Sequence, residues 1–129
     1  MSKQEAGAEL DEQHIALYFA LMESAALLQQ LMDEQTRRDG DVTYVQFTLL
    51  ARLGGSPGGS MRMTDLADSL VHSRSGLTYQ AGLLEKAGLL VRSRSESDER
   101  SVHARLTEDG RAVLARILVQ AGRHQEAGL

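Results

Sequence analysis

The amino-acid sequence predicts a mainly α-helical fold carrying one small β-hairpin, on three observations. Apolar residues recur at helical spacing through a long first segment, and Ser/Thr starts and glycine stops punctuate the segments that follow. Beyond Gly88 the period drops from 3.6 to 2. At 129 residues, with 42% hydrophobic and 25% charged side chains, the chain fits one folded domain spanning 1–129 better than disorder or a fibrous repeat.

The first helix is set by Leu10, His14, Leu17, Leu21, Leu28 and Leu31, spaced by three, four or seven. Running from about Leu10 to Arg37, it is roughly 40 Å long at 1.5 Å per residue, more apolar face than a domain of this size covers, so a second subunit is expected against it. Arg37 and Arg38 suit the helix dipole, and Asp39-Gly40-Asp41 is its stop. Thr43 and Gln46 have capping-box spacing for a second helix that ends at Gly54 and sends Tyr44, Phe47, Leu50, Ala51 and Leu53 inward. Residues 54–60, GGSPGGS, read as a loop.

Thr64 reads as the N-cap of a short helix through Leu66, Ala67, Leu70 and Val71. Ser73 caps the next, which runs to about Ala87 with Gly88 as its C-cap. On that helix Leu77, Ala81 and Leu84 share one side, which leaves Ser75, Tyr79, Gly82 and Lys86 opposite and Thr78 on the flank. Two alternating runs around Leu90–Arg94 and Val102–Leu106 form a hairpin with a charged tip. Thr107 caps a last helix whose stripe is Val113, Leu114, Ile117 and Leu118.

Several chemistries are excluded. The chain has no cysteine, hence no disulfide, thiolate metal site or thiol nucleophile. The stretch Gly54-Gly55-Ser56-Pro57-Gly58 spells G-x-S-x-G, but Pro57 lacks the N–H that an oxyanion hole requires after the serine. His14, His72, His103 and His124 lack metal-ligand spacing, and no cofactor is implied. No paired carboxylates or nucleophile–base set assembles, so no enzymatic activity is expected. Neither a signal peptide nor an uninterrupted run of 18 apolar residues is present, so a cytoplasmic protein without a membrane partner is expected.

The net charge of −4 is unevenly spread. Residues 1–61 hold four basic and nine acidic residues, whereas residues 62–129 hold ten and nine. Arg92, Arg94, Arg100 and Arg105 cluster in the hairpin region, preceded by Arg62 and Arg74, enough for a local positive surface. Short helix, turn, polar-faced helix and basic-tipped hairpin together make a winged helix-turn-helix. In that architecture the small and polar side chains at Ser75, Thr78 and Tyr79 fit the major groove, the helix start after Ser73 suits a phosphate, and Arg100 at the hairpin tip reaches the minor groove.

The chain also resembles the MarR-type transcriptional regulators over roughly residues 43–118. The matching motifs are Thr64-Asp65-Leu66-Ala67, Ser73-Arg74-Ser75-Gly76-Leu77-Thr78, Leu84-Glu85-Lys86-Ala87-Gly88-Leu89-Leu90, Asp98-Glu99-Arg100-Ser101 and Leu106-Thr107-Glu108-Asp109-Gly110. The resemblance implies a winged helix-turn-helix lobe at 43–106 between dimerisation helices at 10–38 and 108–129. It implies a homodimer on a pseudo-palindromic operator, usually a repressor, with its reading helices about 34 Å apart. Arg100 is then the minor-groove arginine oriented by Asp98; Ser75, Thr78 and Tyr79 face the major groove, and Arg74 and Arg94 make phosphate or supporting contacts. Ser73 at the helix start and Lys86 on the outer face complete the expected DNA-binding set.

The hairpin SESDERSVHARLTEDG is similar to the branch that senses organic hydroperoxides, but without a cysteine that sensing has no thiol here. In the family the dimer is closed by the first helix and two terminal ones; with Leu129 soon after the Thr107 helix, a truncation or a reduced dimer interface is expected. Family effectors bind between the dimerisation helices and the DNA-binding lobe, where His14, Tyr18, Tyr44 and Arg52 would suit an anionic aromatic acid. The expected function is therefore a dimeric DNA-binding repressor, with double-stranded DNA, a second copy and a small-molecule effector as partners. The alternative is a winged-helix adaptor that binds another protein instead of DNA.

Overall fold

In the computed structural model, residues 12–70, 74–94 and 100–127 are described. The chain divides into two compact units, Met1–Met32 and Asp33–Leu129. Five α-helices are described: α1 (Glu12–Gly40), α2 (Tyr44–Gly54), α3 (Met63–Leu70), α4 (Arg74–Lys86) and α5 (Glu108–Ala127). A three-stranded antiparallel sheet joins β1 (Ser60–Arg62), β2 (Leu90–Arg94) and β3 (Val102–Leu106) in the order β1-β3-β2. The mainly helical architecture with a hairpin wing is the one the sequence predicts.

The first unit presents its apolar side chains to solvent. Ile15, Leu17, Tyr18, Phe19, Leu21, Met22, Leu27, Leu28 and Leu31 are each more than half exposed. α1 is long and apolar enough, by length and composition, to cross a membrane, with a mean hydropathy of 1.4 over its most apolar stretch. It ends at Gly40, within the expected Asp39-Gly40-Asp41 stop, and the chain turns at Asp41, whose φ is +57°. Thr36 and Gly40, near its end, are buried in the second unit.

In the second unit the capping box forms as expected: the Gln46 N–H donates to Thr43 Oγ1 and the Thr43 N–H to Gln46 Oε1. α2 buries Leu49, Leu50 and Leu53 completely. Phe47 and Ala51 pack at the edge of that core, Tyr44, expected inside, is only half-buried, and Leu49, not among the expected inward residues, is fully buried. The first turn lies at the helix rim, where a ring is accommodated without full burial.

Residues 54–60 are not all loop. Pro57–Gly59 form one 3₁₀ turn and Ser60 opens β1, which pairs Met61 with Ala104 and Arg62 with His103. Three residues are too few to display a period-two pattern, so the strand is set by its partner. Because β1 runs directly into α3, the helix starts at Met63, and Thr64 lies inside its first turn instead of capping it. α3 buries Leu66 and Ala67 and ends at Leu70; Val71 and the expected Ser73 cap lie outside the described residues.

The wing pairs Leu90 with Leu106 and Arg94 with Val102. α4 closes on Gly88, with φ of +80°, through two bonds: the Gly88 N–H to Glu85 O and the Leu89 N–H to Leu84 O. A left-handed residue there favours glycine, as the sequence predicts. Thr107 caps α5, its Oγ1 accepting from Gly110 N–H at 3.0 Å. Val113, Leu114 and Ile117 join the core, whereas Leu118, expected with them, is 52% exposed.

Candidate nucleic-acid interface

The polarity of α4 comes from its spacing. Leu77, Ala81 and Leu84, buried to 3% exposure or less, fix one side against α2 and α3. Ser75, Thr78, Tyr79 and Lys86 are consequently exposed, with Tyr79 at 65%. Gln46 Nε2 donates to Gln80 Oε1 at 3.3 Å, tying the middle of α4 to α2. Arg74 is the first residue of α4. Ser73 and Asp98, and with it the expected Asp98–Arg100 ion pair, lie outside the described residues.

The wing supplies two kinds of arginine. Arg94 and Arg100 are exposed. Arg100, Ser101 and Val102 line a cleft of about 180 Å³ whose other wall is Arg62, Met63 and Thr64. β1 therefore brings a second arginine, Arg62, beside the one expected to enter the minor groove, at the start of the helix that opens the helix-turn-helix. Arg62 was legible as a basic residue, but only the pairing of β1 with β3 gives it this place.

Arg92 is different. Its guanidinium donates to Glu85 Oε1 from Nη2 at 3.1 Å and from Nε at 3.3 Å, and its backbone N–H donates to Glu85 Oε2 at 2.9 Å. The Arg92 amide, and then its guanidinium, hold the Glu85 carboxyl below the usual carboxylate range. So one member of the basic cluster is directed at α4. The sequence held a signal for this, because strict alternation from buried Leu90 puts Arg92 on the inward face.

The four effector-site candidates are described in two different units. His14 and Tyr18 belong to the first, both exposed, with Tyr18 edge-on to Phe19 at 5.5 Å. Tyr44 and Arg52 belong to the second. Arg52 lines a cleft of about 300 Å³ with Phe47, Thr48, Ala51 and Leu70, and the Tyr44 ring lies 6.3 Å from that of Phe47. Among the described residues no group of three or more His, Asp or Glu is placed to hold a metal ion.

A profile of the MarR family matches residues 40–101. The crystal structure of Sco3205, a MarR family transcriptional regulator from Streptomyces coelicolor in complex with DNA, is 35% identical. The likeness covers 89% of this chain and 74% of that one, with a TM-score of 0.81. AbsC, a MarR family transcriptional regulator from the same organism, is 28% identical over 93% of this chain and 83% of its own, with a TM-score of 0.78. The transcriptional repressor MprA of Escherichia coli K12 is 35% identical over 72 residues, 56% of this chain. The HTH-type transcriptional regulator YfiV of Bacillus subtilis is 34% identical over 73 residues, 57% of this chain. The matched stretches span 41% and 44% of these two curated relatives. All four are transcriptional regulators.

Proposed function

Because this chain belongs to the MarR family of transcriptional regulators, we propose that it binds duplex DNA as a homodimer and represses transcription from a pseudo-palindromic operator in the cytoplasm. The observation that carries the reading is the exposed polar face of α4 in one lobe with exposed arginines of the wing and β1, of which Arg62 and Arg100 share a cleft. Ser75, Thr78 and Tyr79 read base edges in the major groove, and Ser73 and Lys86 complete the DNA-contacting set. Arg100, oriented by Asp98, enters the minor groove, while Arg62, Arg74 and Arg94 meet phosphates. Sco3205 was crystallised with DNA, which supports placing nucleic acid at this lobe.

Dimerisation is supported by the exposed apolar side chains of residues 15–31, which are too many to leave in water on a monomer. Leu118 and Val119 on α5 are exposed as well, a separate apolar surface open to a second copy. Release by an anionic aromatic acid is supported on the second unit by the cleft that Arg52 lines. The test is selection of bound duplexes from a random pool, followed by titration in salt. Enrichment of an inverted repeat, with affinity falling steeply as salt rises, is expected. Failure to enrich any sequence, together with salt-insensitive capture of a protein partner, points to an adaptor instead.

A further inference from the structure

We propose that Glu85 and Arg92 are a positioning pair that sets the angle between the wing and α4, so that major-groove and minor-groove contacts are made by one rigid body. The proposal rests on the DNA-binding reading above. It assigns a role in that reading to two residues that touch each other.

The geometry is that of a staple. Arg92 leaves β2 on the inward face, in register with Ala104 of β3, and its guanidinium lies across α4. Nε and Nη2 hold Glu85 near the end of the helix, Nη2 passes 3.5 Å from where a Cβ on Gly82 would stand, and Nη1 approaches Thr78 O at 3.5 Å. One side chain thus spans Thr78 to Glu85 along α4. Glu85 answers with both oxygens, Oε1 for the guanidinium and Oε2 for the Arg92 amide, so it fixes the strand backbone as well as the side chain. A planar fork held this way resists rotation where a single-point contact would not.

The chemistry also explains an acid in a lobe that meets a polyanion. An exposed carboxylate there opposes DNA binding, and a free arginine favours it. Placing Glu85 and Arg92 together cancels both charges, so neither contributes net attraction. What the pair supplies is orientation: the wing tip and the exposed side of α4 meet two different grooves, and a hinge between them makes simultaneous contact entropically costly.

Charge and positioning predict opposite signs, which makes the test sharp. Affinity is measured by fluorescence anisotropy for a duplex selected from a random pool and for a scrambled duplex, using wild type, Glu85→Ala, Arg92→Gln and the double variant. Thermal unfolding confirms that each is folded, and Glu85→Gln serves as a shape-conserving second variant. On the positioning role, Glu85→Ala binds the selected duplex about tenfold more weakly although it has lost a negative charge, while its affinity for the scrambled duplex holds or rises. Arg92→Gln loses selectivity with an unchanged salt slope on the selected duplex, and the double variant is no worse than the poorer single one. Amide exchange at Arg92 accelerates in Glu85→Ala without DNA. If Glu85→Ala binds the selected duplex as tightly as wild type or tighter, or if the two losses add, the positioning role is overturned while the DNA-binding reading stands. A wild-type chain that selects no duplex overturns both.

Discussion

The backbone N–H of Tyr44 donates to Oδ1 of Asp33 at 2.8 Å, across eleven residues of sequence. α2 is therefore capped twice, by its own Thr43 and by an acid from the end of α1, whose other oxygen accepts from Arg37 Nε at 2.6 Å. A carboxylate at a helix N-terminus satisfies an orphan donor and complements the dipole. The Tyr44 amide first, and then Arg37, hold Asp33 below the usual carboxylate range.

Asp33→Ala is expected to lower the unfolding temperature at neutral pH. Since the folded pKa is depressed, the stabilisation is present above the unfolded value near 4 and is lost as pH falls through the folded one. The gap between wild type and Asp33→Ala should therefore close in strong acid. A gap that stays constant between pH 7 and pH 2 contradicts the linkage.

Two glycines of α5 should respond in opposite directions. A Cβ on Gly110 lands on the carbonyl oxygen of Leu89, a backbone atom that cannot step aside, whereas one on Gly122 meets nothing within 4 Å. Gly110→Ala is expected to destabilise by about 1–3 kcal/mol, and Gly122→Ala to stabilise by about 0.4–1 kcal/mol. Urea unfolding of both variants measures this.

Thr107 ties the turn after α4 to the start of α5: its hydroxyl donates to Gly88 O at 2.6 Å and accepts from Gly110 N–H at 3.0 Å. Thr107→Val keeps the shape and loses both bonds, which should cost about 1–2 kcal/mol in denaturant unfolding. An unchanged midpoint would show that the cap is dispensable.

Arg62 and Arg100 share one cleft, so each should contribute to phosphate neutralisation. Arg62→Gln is expected to weaken binding on all sequences and to reduce the slope of log affinity against log salt by about 0.9. A wild-type slope in Arg62→Gln removes that arginine from the interface.

Leu21 and Leu28 are 62% and 59% exposed, so charging them should spare the fold of the chain and disrupt its pairing. Leu28→Glu is expected to lower the mass seen in sedimentation at micromolar concentration and to abolish binding to the inverted repeat while its helical content remains. A variant that still sediments as wild type places the dimer contact elsewhere.

The local signals in the sequence determined a good deal. The capping box at Thr43 and Gln46, the turn at Gly88, the cap at Thr107 and the burial of Leu77, Ala81 and Leu84 all follow from contacts a few residues apart, where hydrogen-bond rings and the 3.6 period act without help. Those signals place the outward side of α4, and with it most of the candidate interface.

Tertiary structure decided what depends on distant partners. β1 exists because β3 offers it an edge, and only that pairing moves Arg62 beside Arg100 and shifts the start of α3 to Met63. Asp33 becomes a cap for Tyr44, and Arg92 turns from a basic wing residue into a partner of Glu85, because folding brings a donor and an acceptor together over eleven and seven positions. A short-range pattern sets which way a side chain faces. What it finds there is set by the elements that pack against it.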